Sequence, residues 1–328
     1  MMTNKEIYRK TLTFSLHRLL FDFLAIVLLS GLCIGGYVLM DKTTDKGLIG
    51  LLVGLVIGLI AVYFVTRYVS YTYKAGQIAM MTKGITEGRL PDNTLAEGKA
   101  IVRKRFGTVA GFFIATRIIR GIFSQLGRGL TSLGGAVGGD TGRSVGSAIS
   151  SAIQVVVAYL CDCCLGWVFY RESEKTTKAT CEGAVLFFRH GKTLAKNLGR
   201  VFGLGILSFL VIGGAFFGMF FAIFSALPPT VFEALANEMH QIALNESTKN
   251  PQIFQTLSDP KVMLIAAAVL AAVILWSLLH SVFVRPFVLV GVLRNYIQSG
   301  IDDVPTEESF NMLDGKSDKF RKLHKEAA

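Results

Sequence analysis

Apolar residues run almost without interruption over 19–40, 48–66, 201–226 and 262–284. Each run reaches the roughly 20 residues that a helix needs to cross a hydrocarbon core. Two further runs have the length but carry charge. The run 146–170 contains Asp162, and the run 106–126 contains Arg117 and Arg120. The connecting segments show a different pattern. In 67–107 and 171–200, apolar positions interleave with lysine and arginine, which predicts amphipathic helices resting on the membrane surface. The segment 227–261 opens on Pro228-Pro229 and then places Val231, Phe232, Leu235, Met239 and Ile242 at helical spacing, predicting a short interfacial helix. Residues 301–328 are polar and basic, and are expected to pack loosely. The pattern predicts an all-α protein: one integral membrane domain over 1–328, a polytopic bundle of about six transmembrane helices.

Charge decides the doubtful run. A central arginine costs about 2.5–3.5 kcal/mol on insertion scales. The segments 1–18, 67–107, 171–200 and 285–328 hold 26 of the lysines and arginines, whereas 41–47, 127–144 and 227–261 hold 6. Six spans put all the rich segments on one side. If 106–126 lay on the surface, 67–107 and 171–200 would fall on opposite sides. The positive-inside rule therefore predicts six spans with both termini cytoplasmic, in a multi-pass cell-membrane protein. The polar lead before 19–40 and the full spanning length of that run read as a first transmembrane helix, not a cleavable signal.

Composition fits this picture. Hydrophobic residues make up 52% and charged residues 17%, against about 25% charged in soluble domains. The net charge of +11 would suggest nucleic acid in a soluble chain. Here topology accounts for it, and the expected partners are the bilayer, anionic headgroups at the basic helices and a small-molecule solute, with no nucleic acid. None of the five cysteines falls in an expected external loop, so no disulfide framework is expected.

Candidate chemistry is sparse. Gly50, Gly54 and Gly58 form a bare stripe on the second span, which lets another helix approach closely. A second series, Gly134, Gly138, Gly142 and Gly146, reads either as a small-residue helix face or as a re-entrant loop. Cys161-Asp162-Cys163-Cys164 could in principle hold a soft metal, but the spacing is wrong for zinc and packing is the plainer reading; no metal or cofactor is expected. Asp162 sits about 13 Å along its helix from Arg171 at 1.5 Å per residue. A carboxylate there must be paired, protonated or in contact with water. Arg117 and Arg120 are its nearest candidate partners in sequence. Asp162, Arg117, Arg120 and His280 are the candidate residues of a substrate or ion pathway, weighed against a structural ion pair at Asp162 and a packed histidine at 280. Arg67, Arg171 and Arg285 read as boundary anchors. Phosphate-binding, nucleophile-elbow, zinc-protease and dinucleotide motifs are missing, so no enzyme is expected.

Four segments resemble, in order, the C-terminal half of the choline transporter-like family. They are Gly107-Thr108-Val109-Ala110 with Arg117-Ile118-Ile119-Arg120, the cysteine cluster 161–164 with Leu165 and Trp167, the basic stretch Ala184–Arg200 with Asn197, and Arg285-Pro286-Phe287 through Gly300. The resemblance covers roughly residues 106–325. The family carries more spans and a large cysteine-bearing external domain, which this chain lacks. The resemblance implies passage of choline or a similar organic cation, for which a cage of aromatics is expected; it carries over no binding residue. Two functions are thus open: a solute transporter, or a non-transporting membrane scaffold or assembly factor.

Overall fold

The computed structural model describes residues 1–44, 47–107, 116–122, 155, 157–244, 251–315 and 317–327. Among the described residues the regular structure is helical, without strands. Three continuous helical stretches are long and apolar enough to cross a membrane: Asn4–Thr44, Phe202–Ser225 and Pro260–Asp302. Ile49–Val65 and Val157–Tyr170 are shorter apolar helices. The expected spans 106–126 and 146–170 fall partly outside the described residues, and the glycine series 134–146 falls wholly outside them. The chain forms two compact units, Met1–Arg200 with Arg285–Ala328, and Val201–Val284.

The first unit begins with α1 (Asn4–Thr44) and α2 (Gly47–Val69). Their outer faces remain apolar in the open: Leu20, Phe23, Val27, Ile34 and Leu39 on α1, and Leu52, Val56, Ile60 and Phe64 on α2, are each more than half exposed. An apolar surface of this extent is costly in water and neutral in lipid. The two helices run antiparallel, because Gly50 abuts Gly36, Gly54 abuts Leu32 and Gly58 abuts Leu29. The glycine stripe read from the sequence is therefore the seam of this hairpin. At Gly50 and Gly54 an added Cβ would strike the carbonyl oxygens of Gly36 and Leu32, whereas at Gly58 it would meet the end of the Leu29 side chain, which can turn away. Gly50→Ala and Gly54→Ala are expected to destabilise the hairpin by about 1–3 kcal/mol, the usual range for overpacking, and Gly58→Ala by clearly less. Unfolding midpoints of the three variants in mixed micelles check this; equal shifts would count against the seam.

The first half of α1 has a different environment. Ile7, Thr11, Phe14 and Ser15 lie on one face and are buried against α3 (Ala75–Thr86), α4 (Thr94–Phe106) and α12 (Arg285–Asp302). Gln77 donates its side-chain amide to the Thr11 carbonyl at 3.2 Å and to Ser15 Oγ at 3.0 Å. The sequence predicts α3 as a surface helix, but it is buried almost all round. Its small residues explain the difference: Gly76 receives the Phe14 ring and Gly84 receives Ile7. α4 begins at Asn93, whose side chain accepts from the Ala96 N–H at 3.1 Å, and ends at Gly107, whose φ of 66° suits only glycine.

The remaining helices of this unit are α5 (116–122), α6 (Val157–Tyr170) and α7 (Thr176–Ser208), of which the residues up to Arg200 belong here and the rest to the second unit, then α12, α13 (Glu307–Asp314) and α14 (Asp318–Ala327). The tail is folded rather than loose. Phe310, Leu313, Phe320 and Leu323 are buried, and the His324 ring lies between Asp314 at 2.9 Å and Glu307 at 3.2 Å. Its few apolar residues share one face of each short helix, which is enough to dock a polar segment.

The second unit contains α8 (Gly214–Ser225), α9 (Pro229–Leu244), α10 (Pro251–Thr256) and α11 (Pro260–Leu279). α8 and α9 both pack on α11. α9 is the helix expected after Pro228-Pro229, with Phe232 and Ala236 buried. α11 starts with Pro260 in its first turn, capped by Asp259, which accepts from the Lys261 N–H at 2.8 Å.

Candidate functional site

Asp162 lies on α6 between Cys161 and Cys163, and its side chain is 6% exposed. One carboxylate oxygen meets Lys74 Nζ at 2.7 Å and the other meets Arg285 Nη2 at 2.7 Å. The same Nη2 donates to the Ala158 carbonyl at 3.3 Å, and the guanidinium lies 5.4 Å from the centre of the Tyr159 ring. Lys74 closes a π-helical turn, Ser70–Lys74, and Arg285 directly succeeds another, His280–Val284. A π turn inserts an extra residue and rotates the next helical turn by about 100° relative to an uninterrupted α-helix. Both cations facing the carboxylate thus sit where the helical register has just shifted.

The sequence nominates Arg117 and Arg120 as partners of Asp162. The structure gives that place to Lys74 and Arg285, and leaves Arg117 and Arg120 exposed on α5. Arg285, read as a boundary anchor, is an ion-pair partner. Sequence neighbours were the wrong guide because the cations arrive from the ends of other helices. A signal for them existed: Lys74 is the single Lys, Arg, Asp or Glu between 68 and 82, Arg285 between 262 and 293, and Asp162 between 144 and 170. Isolated charges in apolar segments must find one another or water.

A second buried carboxylate escaped the sequence reading. Glu182, on α7, is 2% exposed. Trp167 donates its indole N–H to Oε2 at 2.9 Å, and Arg171 donates Nε to Oε2 at 3.0 Å and Nη2 to Oε1 at 3.2 Å. Arg171, read as a boundary anchor, is an ion-pair partner of Glu182 and Glu174. Arg105, from α4, donates to the carbonyls of Arg171, Glu172 and Glu174 at 2.8–3.1 Å and satisfies the chain just after α6 ends. Beside this cluster Tyr296 donates its hydroxyl to the Gly183 carbonyl, and Gly183 makes room for Cys164.

His280 belongs to the second unit. Its Nδ1 lies 3.1 Å from Ser208 Oγ, which also accepts from the Trp276 indole N–H at 3.2 Å. The histidine ring lies 5.2 Å from that of Trp276, a packed arrangement. The five cysteines are free, and no group of three or more metal-ligating side chains occurs among the described residues. Burial, reinforced by the acidic side chains of Asp314 and Glu182, pushes the Cys181 thiol up to about 12. It is the thiolate that reacts, so Cys181 should resist alkylation at pH 8 in the folded protein and react fully in denaturant; labelling at equal rates in both would contradict its burial. The unfolded chain loses this proton near the ordinary thiol value while the folded one keeps it. The raised thiol therefore subtracts stability as pH climbs above about 8.5.

Compared with protein-family models, with curated proteins and with solved structures, the chain shows no match.

Proposed function

We propose that this protein is a non-transporting membrane scaffold: about six spans in the cell membrane, both termini cytoplasmic, and a helical body on the cytoplasmic face that binds other components. The observation that carries this reading is the state of Asp162. Its two oxygens are taken by two cations within a packed helical unit, so its charge ties helices together. A carrier of choline-like cations, the alternative that the family resemblance suggests, needs a carboxylate or an aromatic cage that meets the solute. Asp162 is already neutralised. A cavity of about 450 Å³ in this unit is lined by Arg9, Lys10, Leu16, Asp92 and Leu95, among others, and not by Asp162. Cationic lining does not suit a cationic solute.

The test uses purified full-length protein in proteoliposomes with choline and a panel of organic cations, together with photocrosslinking in cells from position 172. The side chain of Glu172 is more than half exposed on the body. The scaffold reading expects flux equal to that of empty liposomes and a discrete crosslinked partner. Saturable choline uptake that Asp162→Asn abolishes would replace it with the transporter.

A further inference from the structure

The cluster at Asp162 does not balance its charge. Lys74 and Arg285 bring two positive charges to one carboxylate. A third cation lies near it. Arg18 on α1 is close enough to feel the charges of Asp162, Arg285 and Asp22. Three cations thus accompany two acids, Asp162 and Asp22. A low-dielectric cluster does not hold such an excess without a counter-charge.

Donors also outnumber acceptors. Arg285 Nε is buried and has no hydrogen-bond partner among the described residues, so the acceptors around the guanidinium do not satisfy it. The cluster is closed on the acid side and open on the cationic side: the Asp162 side chain is 6% exposed, against 26% for Lys74 and 29% for Arg285. Its level along the chain is that of the membrane boundary. On α1 the buried Phe14 and Ser15 precede Arg18, and the widely exposed Leu20, Phe23 and Leu24 come after it. Lys74 lies beyond the apolar helix Ile49–Val65 and Arg285 beyond α11. The anion that occupies this depth in a bilayer is the phosphate of a lipid headgroup.

We infer that the exposed edge formed by Lys74 and Arg285, with Arg18 beside it, is a binding site for the phosphate of an anionic phospholipid. The inference does not depend on the scaffold reading, since a transporter could hold such a lipid equally well. Phosphate oxygens accept from the ammonium and guanidinium donors that Asp162 leaves over. Asp162 fixes the geometry of the two cations and competes with the lipid for them.

The experiment measures lipid binding to the purified full-length protein in phosphatidylcholine nanodiscs containing increasing phosphatidylglycerol, read by native mass spectrometry and by unfolding midpoint. The wild type should prefer phosphatidylglycerol by about fivefold for each cation engaged, the usual size of an interfacial cation's attraction. Lys74→Gln and Arg18→Gln should each lower that preference about fivefold. Among the described residues Arg18 makes no hydrogen bond or close ion pair with Asp162, whose two oxygens are held by Lys74 and Arg285, so Arg18→Gln leaves that pairing in place and separates lost binding from lost structure. Asp162→Asn should raise the preference even while it destabilises the protein, because it frees both cations. A purely structural ion pair would not behave in this way. An equal preference for the two lipids in the wild type, or a preference unchanged in all three variants, would overturn the inference. So would stabilisation by inorganic phosphate alone that removes the lipid preference, which would assign the site to a free anion.

Discussion

Asp162→Asn should lower the stability of the folded protein by about 3 kcal/mol or more, the cost of removing one member of a buried charge cluster. The substitution keeps the shape of the side chain and removes its charge. It leaves Lys74 and Arg285 facing one another across a neutral amide. Lys74→Met should cost less, about 1 kcal/mol, because Arg285 still neutralises the carboxylate. Arg285→Met should fall between them, since it also gives up the Ala158 carbonyl and the Tyr159 ring. The double variant Asp162→Asn with Lys74→Met should be less unstable than the sum of its parts, by roughly 0.5–3 kcal/mol, the range for directly interacting residues. Unfolding midpoints in mixed micelles provide the cycle. Strict additivity would mean that the two residues do not share a contact.

Arg171→Met should be the second large effect, and it should exceed Glu182→Gln. Losing the guanidinium strands a carboxylate that is 2% exposed, with the Trp167 indole as its remaining donor. The expected loss is about 3 kcal/mol. Glutamine at 182 still offers a carbonyl oxygen to Trp167. It leaves Arg171, which is about a quarter exposed and also holds Glu174 at 3.2 Å, with a partner and access to solvent. A loss of about 1–2 kcal/mol is expected there. The order of the two variants is the informative result: a larger loss for Glu182→Gln would show that Arg171, and not the acid, is the group that needs its partner.

The helical class and the glycine seam were legible in the sequence because both come from local rules. Apolar length sets a membrane helix, and glycine at every fourth position bares one stripe. The helix after Pro228-Pro229 was legible for the same reason. The body built from α3, α6, α12 and the tail helices was not. Its elements are short, and α3 is so rich in small residues that periodicity cannot separate a surface helix from a buried one. The tail looked polar because Phe310, Leu313, Phe320 and Leu323 are few, yet each of them is buried. The candidate site was half legible. Asp162 was evident as a lone carboxylate in an apolar run. Its partners lie at distances of 88 and 123 residues along the chain, where spacing carries no information. Glu182 was hidden by its neighbours, since a glutamate on an amphipathic helix ordinarily faces water.

The central claim is that Asp162 is enclosed by its two cations and meets no aqueous path. Its most direct test places a cysteine at 162 in a variant whose five native cysteines are replaced, and exposes sealed vesicles of both orientations to a membrane-impermeant thiosulfonate. Two adjacent cations would favour the thiolate and make any accessible thiol at this position react quickly. The account predicts no modification during the time that fully labels a cysteine at the exposed position 172. Rapid modification from either side would contradict it and place Asp162 on a water-filled route.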